Sequence, residues 1–309
     1  MTNPAVVAAH ELAYDIVDVF TDVAFAGNPL AVVHGADALT TEQMQRLARE
    51  FHLSETAFPL LDDTEAASLG AHYRLRIFTP EVEIPFAGHP SVGTAWLMTT
   101  TGRVRPDAGV VRQLCGEGLL PLTVTDDAAT LTGGRAVLGD PEDATPFLAA
   151  VRLGPDDLAD ADAWPARVCS TGLGYAIVRV VPQALDRCEP DMTLLRRYLR
   201  HPHDATGLYV VAWDDLSTGV EARMFAGDVG VPEDAATGSA ALALGVYLAG
   251  GPGLRDGGTV TIRQGVAMGR PSRLDVHVTA HDGSVDEVTV RGGVVPIAQG
   301  RVAVPPTTP

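Results

Sequence analysis

The run RIFTPEVEIPFAGHPSVGTAWLM, residues 76–98, is a β-like segment that ends in proline, glycine and histidine and passes directly into a helix of small residues. A second run of this form, RMFAGDVGVPEDAATGSAALALGVYL, occupies residues 223–248. Similar residues recur in the two runs at a constant offset of 147, in the pairs Arg76/Arg223, Phe78/Phe225, Glu81/Asp228, Val82/Val229, Ile84/Val231 and Pro85/Pro232. A looser pair, GNPLAVV from Gly27 and GLGYAIV from Gly172, has an offset of 145. Chance use of a common strand phrase explains this register poorly, so the sequence predicts two domains of like fold.

The segments around the first run mix hairpins with single helices, which favours an α+β fold. YDIVDVFTDVAFAGNPLAVV predicts two strands around a Gly27-Asn28-Pro29 turn, and LTTEQMQRLAREFHL predicts an amphipathic helix capped by Thr40 or Thr41. SETAFPLL and residues 73–84 predict strands, and HPSVGTAWLMTT predicts a helix. We expect domains at residues 1–127 and 128–309, each a mostly antiparallel sheet around a central helix. The C-terminal strand near GGVVPIAQGRVAV is expected to cross back to the first domain.

Composition excludes several classes of function. All 22 basic residues are arginine, so chemistry that needs a lysine imine or a Walker lysine is excluded. A formal net charge of −17 opposes a nucleic-acid partner. The first residues, MTNPAVVAAHELAYD, lack the basic region of a signal peptide and are too short for a membrane span, so we expect a cytoplasmic protein without a membrane partner.

No motif indicates a cofactor or a metal. GLGYAI lacks the last glycine of a dinucleotide fingerprint, and HPHD at His201 has no third ligand at a suitable spacing. The cysteines Cys115, Cys169 and Cys188 are odd in number and have no C-x-x-C spacing, so neither a zinc site nor a disulfide framework is expected. They are predicted to be small core residues in a reducing compartment.

Each repeated run predicts a helix that begins at a glycine, Gly88 in the first half and Gly238 in the second. The first N–H groups of each helix are expected to be exposed there. Two such helix starts facing one interdomain cleft would hold a carboxylate. We therefore expect a small carboxylic acid as the ligand, with Gly88, Thr237 and Gly238 as binding residues.

Four acid–base or polar residues accompany these helix starts. His89 lies at the first, Asp234 and Ser239 at the second, and Glu55 lies in LSETAF before the first. His89 could be an ordinary packed histidine, but its position between Gly88 and Pro90 favours a role in the site. Asp234 could equally be an N-cap. Ser239 could be a small packing residue, and Glu55 alone could be a surface charge.

Five motifs in order resemble the PhzF phenazine-biosynthesis isomerase family, which has the diaminopimelate epimerase-like fold: AFAGNPLAVV, LSETAF, EVEIPFAGHPSVGTAW, EDAATGSAALAL and RQGVAMGRPSRL. The resemblance runs from about Tyr14 to Val304. It implies that Glu55 is the general acid and base, that His89, Asp234 and Ser239 complete the catalytic set, and that the protein is a homodimer. Ala235 stands where the family usually has proline, which puts the placement of Asp234 in question.

The expected activity is a cofactor-independent double-bond migration in a small unsaturated carboxylic acid, in specialised metabolism such as antibiotic biosynthesis. Epimerases of this fold use two cysteines at the helix starts, and neither helix start has a cysteine here. CGEG at Cys115 resembles an epimerase signature, but it lies about thirty residues after the first helix start. An epimerase and a non-catalytic protein that sequesters a carboxylic metabolite remain the alternatives.

Overall fold

The computed structural model describes residues 10–200, 205–226 and 232–307, and in them the chain forms sixteen β-strands and seven α-helices. The strands are β1 (Glu11–Val19), β2 (Asn28–Val33), β3 (Glu55–Leu60), β4 (Tyr73–Phe78), β5 (Glu83–Ile84), β6 (Val110–Cys115), β7 (Gly118–Val124), β8 (Ala128–Thr132), β9 (Val137–Glu142), β10 (Ala166–Ser170), β11 (Gly174–Arg179), β12 (Gly207–Ala212), β13 (Val220–Ala226), β14 (Gly258–Gln264), β15 (Ser272–His281) and β16 (Ser284–Ala303). The helices are α1 (Thr41–Phe51), α2 (Thr64–Ser68), α3 (Gly88–Thr100), α4 (Thr145–Ala150), α5 (Pro182–Leu185), α6 (Met192–Arg200) and α7 (Gly238–Gly250).

In the first half the sheet closes into a barrel. The strand order is β1-β2-β3-β4-β6-β7-β8, and β16 pairs with both β8 and β1 to complete the ring. Helix α3 packs against these strands and is buried from Gly88 to Met98. A helix that is apolar on all sides is stable only when protein surrounds it. The sequence of small and apolar residues in α3 therefore selects the central position.

The second half also places a sheet around a central helix, but the described strand pairings leave this sheet open at β9. Its strands follow the order β16-β15-β14-β13-β12-β11-β10-β9, and α7 is buried against them from Gly238 to Ala249. The largest hydrophobic cluster surrounds both central helices. Two smaller clusters lie under α1 and under α4 to α6 on the outer faces of the two halves. The architecture confirms the predicted α+β fold with a central helix in each half.

β16 joins the two halves into one continuous sheet. Its first part pairs with β15, its middle with β8, and its last part with all nine residues of β1. Most neighbouring strands are antiparallel, and the parallel pairs are β2/β3, β4/β6, β11/β12 and β13/β14. The domain boundary between residues 127 and 128 stays a prediction.

The helices and strands of the first half lie where the sequence predicts them, with two corrections. β1 and β2 pair antiparallel as predicted, but Asn28 and Pro29 belong to β2, so the turn comes earlier, in residues 20–27. The single strand predicted over residues 73–84 is two strands, because Thr79 accepts hydrogen bonds from the N–H groups of Glu81 and Val82 and makes a turn. Helix α1 and strand β3 lie where predicted, with Thr40 as the N-cap.

The repeated R-x-F phrase has a structural basis. The Arg76 guanidinium lies 5.2 Å from the Phe78 ring centroid and makes a two-pronged ion pair with Glu83. Arg223 lies 5.1 Å from the Phe225 ring and makes the same two-pronged pair with Glu233. The matched residues Asp228, Val229 and Val231 lie outside the described residues.

Candidate active site

The two central helices begin against each other. A Cβ atom added at Gly88 would lie 2.9 Å from Gly238 Cα and 3.0 Å from the backbone nitrogen of Ser239. Only glycine allows this approach of two backbones. The N-cap residues Ala87 and Thr237 make no side-chain hydrogen bond to the first turn of either helix. The positive ends of both helix dipoles therefore point to one place with their first N–H groups free for a ligand.

A cavity of about 250 Å³ lies at this junction. All seven residues predicted for the site line it, namely Glu55, Gly88, His89, Asp234, Thr237, Gly238 and Ser239. The rest of its wall is mainly apolar and comes from Ile84, Pro85, Phe86, Ala87, Leu173, Tyr175, Thr206, Met224, Ala226 and Ala236. No arginine is among these lining residues. A carboxylate bound here would depend on backbone N–H groups and helix dipoles for its positive surroundings.

Glu55 is placed at the cavity by the end of α1. His52, the C-cap, has a left-handed φ of 52° and donates its N–H to Ala48, so the chain reverses and enters β3 at Glu55. Glu55 is 9% exposed, and its Oε2 atom has no hydrogen-bond partner among the described residues. Burial and the neighbouring Asp234 carboxylate raise the pKa of Glu55 to about 8. The carboxyl group is thus able to take up and release a proton near neutral pH.

His89 lies beside Glu55, with 3.5 Å between its Nδ1 atom and Glu55 Oε2. The Asn28 amide nitrogen is 3.1 Å from the same Nδ1 atom and also donates to two oxygens, of Asp234 and Ala236. The two amide hydrogens serve three acceptors, so one of them is shared. In the tautomer in which His89 Nδ1 accepts from Asn28, the ring proton lies on Nε2. Burial lowers the pKa of His89 to about 3, so the ring is neutral at pH 7. Its Nε2–H has no partner among the described residues.

Asp234 is held from both sides. Asn28 donates to its Oδ1 at 2.7 Å, and the Thr237 hydroxyl donates to its Oδ2 at 2.7 Å. Burial raises the pKa of Asp234 to about 6, although these two hydrogen bonds act in the opposite direction. The alternative that Asp234 is merely an N-cap is wrong, because the N-cap of α7 is Thr237. Ala235 is buried beside it, and the backbone N–H of Asp234 is bonded to the Met224 carbonyl at 3.1 Å.

Ser239 is the second residue of α7, as His89 is the second residue of α3. Its hydroxyl lies 2.7 Å from the Tyr175 hydroxyl, and both side chains are buried. The pKa of Tyr175 is raised by burial, so its hydroxyl stays protonated. The two equivalent helix positions therefore carry a neutral imidazole and a neutral hydroxyl.

Sequence reasoning missed three residues of this network. The sequence pattern predicts only a turn at Asn28, and no pattern indicates a role for Tyr175. Gln264 donates to the Asp234 carbonyl at 2.8 Å and to the Thr237 hydroxyl at 3.1 Å, and it accepts from the Tyr209 hydroxyl. Asn28 and Gln264 lie in GNPLAVV and RQGVAMGRPSRL, two motifs that were recognised without a role for these side chains.

The sequence also made predictions about the cysteines, a metal site and a membrane span. Cys115, Cys169 and Cys188 are buried free thiols, and none of them lines the cavity. In the described ranges, no three His, Cys, Asp or Glu side chains come close enough together to bind a metal ion. No described helix has the length and apolar character needed to span a bilayer. The HPHD segment at His201 lies outside the described residues.

Comparison with known proteins gives one family. Residues 17–300 match the PhzC-PhzF family, described as phenazine biosynthesis-like protein. The trans-2,3-dihydro-3-hydroxyanthranilate isomerase of Pseudomonas aeruginosa is 32% identical over 93% of this chain and 98% of its own. A predicted epimerase of known structure from the same organism is 33% identical, with a TM-score of 0.78 over 94% of this chain and 99% of its own.

A third comparison concerns the fold. The structure of a PhzF-family protein from Bacillus anthracis superposes with a TM-score of 0.83 over 96% of this chain and the whole of its own, at 23% identity. Epimerases of amino acids share the fold as well. These similarities confirm the predicted diaminopimelate epimerase-like architecture.

Proposed function

Because the chain belongs to the PhzC-PhzF family and is an isomerase, we propose that it moves a proton and a double bond in a small unsaturated carboxylic acid, with Glu55 as the general acid and base. The proposed reaction needs no cofactor, since one carboxyl group can carry the proton in both directions. A cavity of about 250 Å³ suits a single-ring or short-chain acid.

The observation that carries this proposal is the Glu55 carboxyl group in the cavity wall. Its Oε2 atom is buried with no hydrogen-bond partner in the described part of the chain, and it faces a cavity whose helix ends attract anions. A protein that only binds a carboxylic acid gains nothing from a second buried carboxyl group, which costs free energy to desolvate and repels the ligand when ionised. A proton carrier needs such a group close to the substrate.

The proposed reaction is balanced within the substrate. The Glu55 carboxylate takes a proton from an sp³ carbon next to the conjugated system, and the C–H electron pair becomes part of a new double bond. The old double bond shifts, and its far carbon receives the proton from Glu55, which returns to the carboxylate. Negative charge in the intermediate spreads to the substrate carboxylate, which the N-termini of α3 and α7 stabilise. We assign substrate orientation to His89, Asp234 and Ser239.

Proton exchange tests the function. Candidate unsaturated acids are incubated with the protein in deuterated water, and NMR follows deuterium uptake and the appearance of an isomer. The first compound is trans-2,3-dihydro-3-hydroxyanthranilate, because the name of a relative contains it. Turnover is expected for an isomerase, whereas a sequestering protein would bind the acid without exchange.

Substitution of Glu55 tests the mechanism. Glu55→Gln keeps the size of the side chain but removes the base, so binding should survive while turnover falls by about a hundredfold to ten-thousandfold. His89→Ala and Asp234→Ala should weaken both binding and turnover. Glu50→Gln, on the exposed face of α1, is the matched control and should leave the rate unchanged. Near-wild-type turnover by Glu55→Gln would show that another group is the base.

The epimerase alternative is less compatible with the geometry. Epimerisation without a cofactor needs an acid–base group on each face of one carbon. The two equivalent helix positions hold His89, which is neutral, and Ser239, whose hydroxyl is bonded to Tyr175. Among the described residues that line the cavity, only Glu55 combines an oxygen that lacks a hydrogen-bond partner with a pKa raised to about 8.

A homodimer, a cytoplasmic location and a role in specialised metabolism or antibiotic biosynthesis are also part of the proposal. Their support is the family resemblance. Light scattering at micromolar concentration tests the dimer, since a mass of one chain would contradict it.

A further inference from the structure

The motif RQGVAMGRPSRL has no part in the chemistry proposed above, yet it contacts the site from behind. Residues 264–271, here named the bridge segment, run from the last residue of β14 to the start of β15. At its first end Gln264 donates to the Asp234 carbonyl and to the Thr237 hydroxyl. Gly265 has a φ of +74°, and a Cβ there would lie 2.6 Å from the Ala235 carbonyl oxygen. This end therefore packs directly on the loop that carries Asp234.

The other end of the bridge segment holds a loop from the first half of the molecule. The Arg270 guanidinium donates to the carbonyls of Gly27 and Ala26, each at 3.0 Å, and forms an ion pair with Asp18. The Gly27 N–H returns a hydrogen bond to the Pro271 carbonyl at 3.1 Å. Arg270 thus has every one of these partners in the first half, although it belongs to the second.

Asn28 closes these contacts into a ring. It follows Gly27 directly, and its amide nitrogen donates to Asp234 Oδ1 at 2.7 Å and to the Ala236 carbonyl at 3.0 Å. The ring runs from Asn28 to Asp234, through the bridge segment to Arg270, and back through Gly27. Any movement of the loop before Asn28 would change the hydrogen bonds that Asp234 and His89 receive.

The charges in this ring are matched and partly buried. The Asp18 side chain is 2% exposed, and its second oxygen accepts the Phe25 N–H at 2.7 Å. Arg270 is 24% exposed and supplies three hydrogen bonds from a planar group. A planar fork fixes geometry in a way that a flexible ammonium group does not. Removal of Arg270 would leave a buried carboxylate and two carbonyls without this partner.

We propose that Arg270 is a positioning residue that holds the loop of Ala26 and Gly27 so that Asn28 keeps its hydrogen bonds to Asp234 and His89. Arg270 does not line the cavity, so it acts on the site through the residues that it holds in place. The value of this placement for catalysis rests on the proposed function, but the placement itself does not.

A titration that needs no substrate tests the inference. The Asn28 hydrogen bond lowers the pKa of Asp234, so its loss should raise that pKa. Carboxyl ¹³C NMR of the labelled protein, with Asp234 assigned from the spectrum of Asp234→Asn, should show a higher Asp234 titration midpoint in Arg270→Met than in the wild type. Turnover of the exchanging acid should fall at least about tenfold, mainly in kcat rather than KM.

Three further variants make the test decisive. Arg270→Lys keeps the charge but not the fork and should restore part of the loss. Asp18→Asn removes one partner with little change of shape, and it carries the test if Arg270→Met does not fold. Arg273→Met is the control, because Arg273 is 67% exposed and its side chain bonds to Asp275 and Thr261 in its own half.

The outcomes separate this inference from the proposed function. If Arg270→Met folds and has the same Asp234 titration midpoint and the same kcat as the control Arg273→Met, the inference is wrong and the proposed function is unaffected. A shifted titration in a protein that exchanges no acid would support the inference and count against the function.

Discussion

At the scale of the residue, Glu55 should give activity and stability opposite responses to pH. Its carboxyl group must be ionised to accept a proton, and burial raises its pKa to about 8. The value of kcat/KM should therefore rise with pH and level off above about pH 8. The apparent midpoint will belong to Glu55 and Asp234 together, since the two carboxyl groups interact. A rate that falls over this range would contradict the role of Glu55 as base.

The free energy of unfolding should fall as the pH rises, in contrast to the activity. In the unfolded chain Glu55 ionises near its ordinary pKa of 4.5, whereas in the folded protein it stays protonated up to about pH 8. Between these values the unfolded state releases a proton that the folded state keeps. The free energy of unfolding should fall across this window by up to about 5 kcal/mol and then level off.

Glu55→Gln should remove that dependence and be more stable than the wild type above pH 8. Urea midpoints of both proteins at pH 5, 7 and 8.5 measure the effect, with Glu50→Gln as the exposed control. Parallel curves for the wild type and Glu55→Gln would show that Glu55 ionises freely in the folded protein.

At the scale of the element, the two helix starts depend on their glycines. The three atoms nearest to a Cβ at Gly88 would be backbone atoms of Gly238 and Ser239, and backbone cannot rotate away. Gly88→Ala should therefore push the N-termini of α3 and α7 apart, lower stability by roughly 1–3 kcal/mol and reduce turnover. Urea denaturation and initial rates measure both effects.

Gly154→Ala is the matched control for this substitution. Gly154 has an ordinary φ of −126°, and a Cβ there would contact nothing within 4 Å. Its stability should be unchanged or higher by a few tenths of a kcal/mol. If Gly88→Ala behaved in the same way, the contact between the helix starts would have no structural importance.

The repeated sequence phrase also has its explanation in the strands. In each half an arginine covers the phenylalanine two residues later and makes a two-pronged ion pair with a glutamate further along the chain. The arginine and glutamate are seven residues apart in Arg76–Glu83 and ten apart in Arg223–Glu233, so the spacing is three residues longer in the second half. The register of 147 therefore holds for the strands and becomes 150 at the glycines that begin the helices.

At the scale of the whole molecule, the first barrel should depend on the last strand. β1 pairs with β16 along its whole length, and β8 pairs with β16 on the other side. A fragment of residues 1–132 would expose two unpaired strand edges. We expect it to be unfolded or aggregated by circular dichroism and size-exclusion chromatography.

Restoring the missing strand supplies the control. Thr132 lies opposite Thr289 in an antiparallel pair, so residues 288–307 can follow Thr132 through a short Gly/Ser loop. This fusion should recover the β-sheet signal and a cooperative unfolding transition. A fragment of residues 1–132 that folds alone would show that the first half is independent.

The sequence by itself determined the fold class and the candidate residues of the site. The repeat, the small-residue helices and the glycines that begin them, Gly88 and Gly238, are local patterns. Local patterns encode the element and the face that it buries. His89 and Ser239 were placed by the helix starts, whereas the roles expected for Glu55 and Asp234 came from the resemblance to the PhzF family. The strand break at Thr79 was missed because a side-chain hydrogen bond makes that turn.

Only the tertiary structure decided how these residues are joined. Asn28 and Asp234 are 206 residues apart and Arg270 and Gly27 are 243 apart, yet each pair is hydrogen-bonded. The raised pKa of Glu55 and the lowered pKa of His89 likewise arise from burial between two halves of the chain. Periodicity and spacing carry no information on such contacts, because partners and desolvation are fixed only when the two halves pack together.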